Sequence, residues 1–198
     1  MSDVARRALD TATQLGATFA EVRVVRRRDQ SAIVKSGRVE SARLGETEGF
    51  GVRVLADGAW GFASSGRMDG AEADRVAGQA VRIARASARH NQRPVELADR
   101  PVAVGRYETP LDEDPFEVPL DQTVKVLMSA ERAMAKVPGV STSQADYRAF
   151  REWKDYYASD GSATEQVITH VGASLEVNAA NDAEVQRRSF PEAGGYRA

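Results

Sequence analysis

Apolar residues recur at helical spacing in three stretches of the chain and at every second position between them. Ala5, Ala8, Leu9, Ala12 and Leu15 share one helical face after Asp3, a residue suited to capping a helix N terminus. From Phe19 to Ala63 the period drops to two: Ala20, Val22 and Val24, then Ile33, then Phe50, Val52 and Val54, with Ser36-Gly37 and Asp57-Gly58 as turns. Helical spacing returns over residues 70–90 through Ala73, Val76, Ala77, Ala80, Val81 and Ala84, while Arg75, Arg82, Arg85 and Arg89 lie mostly around the other side.

The next stretch, Asn91-Gln92-Arg93-Pro94 followed by Pro101, Pro110, Pro115 and Pro119, follows no period and is rich in breakers. A third helix is predicted from Pro119, with the stripe Leu120, Val124, Leu127, Ala130, Met134 and Val137, and Pro138-Gly139 ends it. Beyond Val140 the pattern is strand-like. Ala163, Val167, Val171, Ala173, Leu175 and Val177 share one face, Thr164, Gln166, His170, Ser174 and Glu176 the other, with turns at Asp160-Gly161 and Ala180-Asn181-Asp182. The order helix, strands, helix, then helix, strands predicts an α+β fold of antiparallel β-meanders covered by amphipathic helices, and argues against a doubly wound nucleotide fold. It suggests an N-terminal α+β module over 1–93, a Pro-rich acidic linker over 94–118, and a second helix-plus-antiparallel-strands module over 119–198, incomplete at its C-terminal end.

Charge supports two modules: residues 1–100 sum to +4 and residues 101–198 to −6, within a net charge of −2. The 198 residues suffice to bury a core without staples. Cysteine is absent, which excludes a disulfide framework, a cysteine nucleophile and thiolate metal sites in this chain, and fits a cytoplasmic setting. The first residues alternate polar and apolar, unlike a signal peptide or membrane span, so no membrane association is expected.

The candidate chemistry is thin. Two histidines are too few for a hydrolytic zinc site built on His alone. His90 falls at the end of an Arg-rich helix, where the last carbonyls favour an imidazolium, and His170 falls on the polar face of a strand beside Gln166 and Glu176. Ser64-Ser65-Gly66 is read as a turn and not as a nucleophile elbow. Gly45, Gly49, Gly51, Gly58 and Gly61 lack the Lys-Ser/Thr of a phosphate loop and mark turns, bulges or close backbone approach. Arg26-Arg27-Arg28 and the arginines of 75–93 could present phosphate-binding charge, but their acidic neighbours make solvated faces the better reading. Asp112-Glu113-Asp114 with Glu117 and Asp121 lacks the spacing of a calcium loop and reads as a solvated linker plus negative charge at a helix N terminus. Trp60, Trp153, Tyr156 and Tyr157 read as packing aromatics. No catalytic, cofactor-binding or metal-ligating residue is assigned within the chain.

Several phrases carry a resemblance. They are Ala20-Glu21-Val22-Arg23, the run from Gly49-Phe50-Gly51-Val52-Arg53 through Gly58-Ala59-Trp60-Gly61-Phe62-Ala63-Ser64, and Asp114-Pro115-Phe116-Glu117-Val118-Pro119-Leu120. Ser159-Asp160-Gly161-Ser162-Ala163-Thr164-Glu165-Gln166 and Glu184-Val185-Gln186-Arg187-Arg188-Ser189-Phe190-Pro191 follow in order. Together they resemble the TldD/PmbA family over nearly the whole chain, and the second and third phrases are more similar to the TldD branch than to PmbA/TldE.

The resemblance implies the amino-terminal part of a zinc metalloprotease acting on unfolded or leader peptides, as a homodimer or with a TldE/PmbA-like partner. The family also carries the label modulator of DNA gyrase. In such proteins an H-E-x-x-x-H helix and a downstream cysteine hold zinc, with the glutamate as general base toward metal-bound water. Neither motif nor cysteine occurs here, so no family catalytic residue maps onto residues 1–198, and the zinc site is expected downstream of Ala198. The leading expectation is a non-catalytic portion supplying dimerisation and substrate-chamber surfaces, inactive alone. The alternatives are a stand-alone peptide- or partner-binding module and a nucleic-acid or gyrase-binding protein. The ending Ala193-Gly194-Gly195-Tyr196-Arg197-Ala198 has the composition of a connecting loop.

Overall fold

A computed structural model describes residues 2–191 of the chain. The connecting-loop reading of Ala193–Ala198 lies outside the described residues. The elements are α1 (Asp3–Gln14), β1 (Phe19–Lys35), β2 (Arg38–Ala56), β3 (Ala59–Ser65), α2 (Gly70–Ala88), β4 (Val104–Glu108), α3 (Leu120–Ala135), β5 (Val140–Ala158), β6 (Ala163–Ala180) and β7 (Val185–Phe190). The strands form a sheet of order β3-β2-β1-β5-β6-β4, with β7 also paired to β6. This is the α+β class that the periodicities predict.

Local chemistry explains the boundaries. Both early hairpins turn through two residues in the left-handed region, Ser36 (φ 46) with Gly37 (φ 78) and Asp57 (φ 52) with Gly58 (φ 74), which matches the twist of antiparallel strands. Ser2, not Asp3, caps α1, its side chain accepting from the Ala5 N–H at 3.2 Å, and Asp3 instead pairs with Arg6 one turn on. Asp69 caps α2 by accepting from the Glu72 N–H at 2.8 Å.

The residues cluster in two compact units that interleave along the chain. One comprises Met1–Arg27, Thr47–Glu108 and Glu152–Ile168, the other Arg28–Glu46, Thr109–Arg151 and Thr169–Ala198. The long strands β1, β2, β5 and β6 each supply residues to both, so the spatial division does not follow the sequence division at 94–118. In the first unit α1 and α2 cover one sheet face, and the core is almost entirely valine and alanine, including Val22, Val52, Val54, Val76 and Val81. Such small side chains bring helix and sheet close: a Cβ on Gly61 would sit 2.0 Å from the Ala80 carbonyl oxygen of α2 and 2.5 Å from the Ala84 nitrogen.

In the second unit α3 packs Leu127 on Ala32, Val34 and Ala145, with Val124, Met128 and Met134 alongside. Glu131 is buried beneath α3, where one carboxylate oxygen accepts from the Ser143 hydroxyl at 2.6 Å.

The Pro-rich stretch is more ordered than its sequence suggests. Residues up to 108 belong to the first unit: the Val95 N–H donates to Gly58 O at 2.8 Å, and the Ala163 N–H donates to Ala103 O at 2.8 Å. Strand β4 pairs in parallel with β6. All five of its residues are exposed, so backbone pairing and not burial makes this strand, and no apolar alternation could announce it.

Gly61→Ala should destabilise the protein by about 3 kcal/mol, because the added methyl meets helix backbone that cannot step aside. Thermal unfolding should show a fall in Tm of about 6–12 °C. A silent substitution would contradict the close approach of β3 and α2.

Candidate functional site

The face of the first unit's sheet turned away from α1 and α2 is polar and aromatic. It follows from the alternation of β1: Ala20, Val22 and Val24 enter the helix-covered core, so Glu21 and Arg23 project from the other face. On β2 and β3 the same face carries Arg53 opposite Phe62, and Gly51 opposite Ser64.

Glu21 is the centre of this face and is only 4 % exposed. One of its oxygens lies 2.9 Å from Nε of Arg53 and 3.7 Å from Nη2 of Arg23, and the other accepts from the Tyr156 hydroxyl at 2.9 Å. Arg53 also lies over the Trp60 ring at 4.5 Å and Arg23 over the Tyr156 ring at 5.6 Å. The network continues to Arg100, which donates to the Tyr156 hydroxyl at 3.1 Å and to Asp160 at 2.7 Å, and lies over Phe19. Those two bonds raise the Arg100 guanidinium further above its ordinary range. Burial first, and then the neighbouring Glu21, push the Tyr156 hydroxyl above its usual range. Phe19, Leu55 and Ala158 form a small apolar cluster beside the network, with Trp60 meeting Phe19 edge-on at 6.1 Å.

Two recesses open on this face. A groove of about 560 Å³ is bounded by Glu21, Arg23, Arg53, Gly49, Phe62 and Ser64, with Glu48 also in its lining. A smaller recess of about 300 Å³ lies between Trp60, Arg53 and the 97–100 segment. Gly51 shapes the groove, because a Cβ there would meet the Phe62 ring at 2.8 Å and force it off the strand.

Comparison with known proteins locates these residues. Residues 20–84 match the PmbA/TldA metallopeptidase domain 1, and residues 113–198 match the PmbA/TldA metallopeptidase central domain. The chain belongs to the PmbA/TldD metallopeptidase family. A metalloprotease of Methanocaldococcus jannaschii is 24% identical over 153 residues, which are 76% of this chain and 33% of that protein. A metalloprotease of Methanothermobacter thermautotrophicus is 24% identical over 180 residues, 90% of this chain and 38% of that one. The chain therefore spans little more than a third of the length of the curated relatives it matches. Among solved structures, a Bacteroides thetaiotaomicron protein described as a modulator of DNA gyrase superposes with a TM-score of 0.75 at 17% identity, over 94% of this chain and 42% of that one. TldE from Thermococcus kodakarensis superposes with a TM-score of 0.71 at 17% identity and the same coverage.

The residues singled out by sequence fare differently in this family fold. His90 is exposed in the turn after α2, and His170 is exposed on β6, where it stacks on Phe150 at 4.9 Å. Among the described residues no group of three or more His, Asp or Glu side chains is arranged to hold a metal ion. Arg26, Arg27 and Arg28 separate because successive strand residues face opposite ways: Arg26 lies over Trp153 at 4.2 Å, Arg27 is 4.0 Å from Glu152, and Arg28 lies over Phe116 at 4.8 Å. In the acidic run, Asp114 accepts from the Phe116 N–H and from Arg151, each at 2.8 Å, and Asp121 pairs with Lys125. Ser64 and Ser65 are the last residues of β3 and not a turn, because β2 continues to pair with them.

Of the aromatics, Tyr157 is core, while Trp60 and Tyr156 carry guanidinium groups on the polar face. Sequence reasoning missed Glu21, Arg53, Arg100 and Asp160 as a set. The available signal was a glutamate inside the apolar run Phe19–Val24.

Glu21→Gln should lower stability by about 1–3 kcal/mol, since it leaves Arg53 and Tyr156 without their charged acceptor. Denaturant unfolding would reveal the change. Elsewhere in this unit, burial first and then Glu165 push the Asp155 carboxyl above its usual range. A raised folded-state value means the native protein binds that proton more tightly than the unfolded chain, so the ionised group costs stability at neutral pH and the cost fades on acidification. Asp155→Asn should therefore raise Tm at pH 7, with the gain vanishing by about pH 4. An unchanged gain across that window would contradict the assignment.

Proposed function

We propose that this chain is the amino-terminal, non-catalytic portion of a TldD-like zinc metallopeptidase that cleaves unfolded or leader peptides, and that it supplies substrate-chamber and dimerisation surfaces. The observation that carries the reading is the polar face around Glu21. Its residues come from three phrases far apart in sequence, Ala20–Arg23 and Gly49–Ser64 around the groove and Ser159–Gln166, through Asp160, at the smaller recess beside it. A groove lined by aromatic rings, bare glycine backbone and fixed polar groups suits an extended peptide better than a small rigid metabolite.

Zinc does not fit the residues present. The two histidines are exposed and belong to different units, and no described acidic cluster stands near either to complete a ligand set. In this reading the metal, the general base and the hydrolytic step belong to residues outside the chain, and the polar face holds peptide in extended form. For the partner, a TldE/PmbA-like chain or a second copy, β2 offers residues 38–49. β3 covers β2 only from Phe50 onward, and Val39 and Leu44 are exposed there beside alternating Arg38, Glu40, Arg43 and Glu46. The dispersal of Arg26–Arg28 onto rings and carboxylates disfavours a nucleic-acid surface.

The purified chain, equilibrated with zinc and dialysed, should retain well under one ion per chain and should leave an unfolded peptide uncut. The full-length protein should cleave the same peptide and lose that activity when its downstream histidines are replaced. Zinc-dependent cleavage by the 198-residue chain alone would sink the proposal.

A further inference from the structure

We infer that the groove over Glu21 is a carboxylate-recognition subsite, taking an acidic side chain or the C-terminal carboxylate of an extended peptide at its Arg23–Arg53 end. This rests on the reading of the polar face as a peptide-binding wall and adds to it the chemistry that the wall selects.

The charge arrangement carries the argument. Two guanidinium groups converge on one carboxylate, so the trio keeps a net positive charge. The layering of that charge matters more than its sum. The Glu21 side chain is 5 % exposed while those of Arg53 and Arg23 are 46% and 56% exposed, so the negative partner lies beneath and the positive groups face the groove. Arg53 meets Glu21 through Nε, at one edge of a planar group that presents five N–H donors and binds carboxylates in pairs.

The guanidinium planes are also held in place. Arg53 lies on Trp60 and Arg23 on Tyr156, and Tyr156 is itself fixed by Glu21 and Arg100. Groups fixed before a ligand arrives lose little entropy when it binds. A second carboxylate can thus replace water on the exposed side of the guanidiniums while Glu21 stays bonded below.

The groove has room for a chain on the approach to that end. It runs along β2 from Thr47 to Arg53, a length of about 20 Å at strand spacing, which is about six residues of extended peptide. Gly49 and Gly51 remove side chains from its floor, and the exposed Phe62 and the hydroxyl of Ser64 line its wall. Thr47, Gly49, Gly51 and Arg53 alternate onto the groove face of β2, so only Arg53 brings charge to it from this strand. The placement of charge therefore favours a peptide with its acidic or C-terminal end toward Arg53 and Arg23.

The test is titration calorimetry of the 198-residue chain with three N-acetylated Ala/Ser hexapeptides. One is a neutral C-terminal amide, one is an amide with a single internal Glu, and one has a free C-terminal carboxylate. At least one carboxylate peptide should bind about tenfold or more tighter than the neutral amide. That advantage should shrink severalfold between about 50 and 300 mM salt. Which carboxylate is preferred identifies the source. Arg53→Gln should remove most of the advantage, bringing the carboxylate peptides down to the affinity of the neutral amide on the same variant. Arg23→Gln, at the more exposed position, should do so in part and guards against misfolding of the first variant.

If all three peptides bound equally to the unmodified chain and to both variants, the carboxylate subsite would be wrong and the peptide-binding wall would stand. If none bound up to about 1 mM, weaker than any useful subsite, both would fall.

Discussion

The alternation of β1 is the constraint on which the first unit depends. One strand must satisfy two environments, because Ala20, Val22 and Val24 are needed under α1 and α2 while the intervening positions face away from the helices. The period of two leaves no freedom in this: a one-residue slip would carry Glu21 into a core of valine and alanine and expose the valines. The core is packed from such small side chains that Gly61 is nearly in contact with the α2 backbone, so the sheet is held at a fixed distance from the helices. The groove on the other face inherits that rigidity.

Burying Glu21 among Phe19, Trp60 and Tyr156 would be unfavourable without cations to neutralise it. Arg53 and Arg23 provide them, and each rests on an aromatic ring that also belongs to the polar face. The consequence is a set of mutually dependent groups in which no member can be removed without stranding another. Arg100 and Asp160 extend the dependence to the 94–100 segment and to the β5–β6 turn. The phrases that carry Glu21, Arg53 and Asp160 fall within the family-matched spans, residues 20–84 and 113–198.

How much of this was legible in the sequence follows from which signals are local. The three helices and the two-residue hairpins could be read because their spacing and turn residues are self-contained: Ala73 to Ala84 defines a face, and Asp57-Gly58 defines a turn. Strand β4 could not, because Val104–Glu108 is made by pairing with β6 some sixty residues away. The interleaving of the two units was likewise hidden, since nothing in the composition of β1 marks the point at Arg27 where the strand passes from one to the other. The site failed for the same reason. Glu21, Arg53, Tyr156 and Arg100 are each ordinary in their local context: pairing of β1, β2 and β5 gathers the first three, and Arg100 joins them from the segment before β4 through Tyr156 and Asp160. Tyr156 was read as packing, which describes its ring but not its hydroxyl. The quoted family phrases held three of the decisive positions, Glu21, Arg53 and Asp160, without indicating that they belong together.

The most direct test of the central claim, that the polar face of the first unit is a peptide-binding wall, is amide hydrogen exchange of the chain with and without a saturating unfolded peptide. The account predicts slowed exchange confined to residues 47–53 of β2 and 62–66, with α2, His90 and His170 unaffected. Protection centred on either histidine, or on the arginine-bearing face of α2 with none at 47–53, would contradict it.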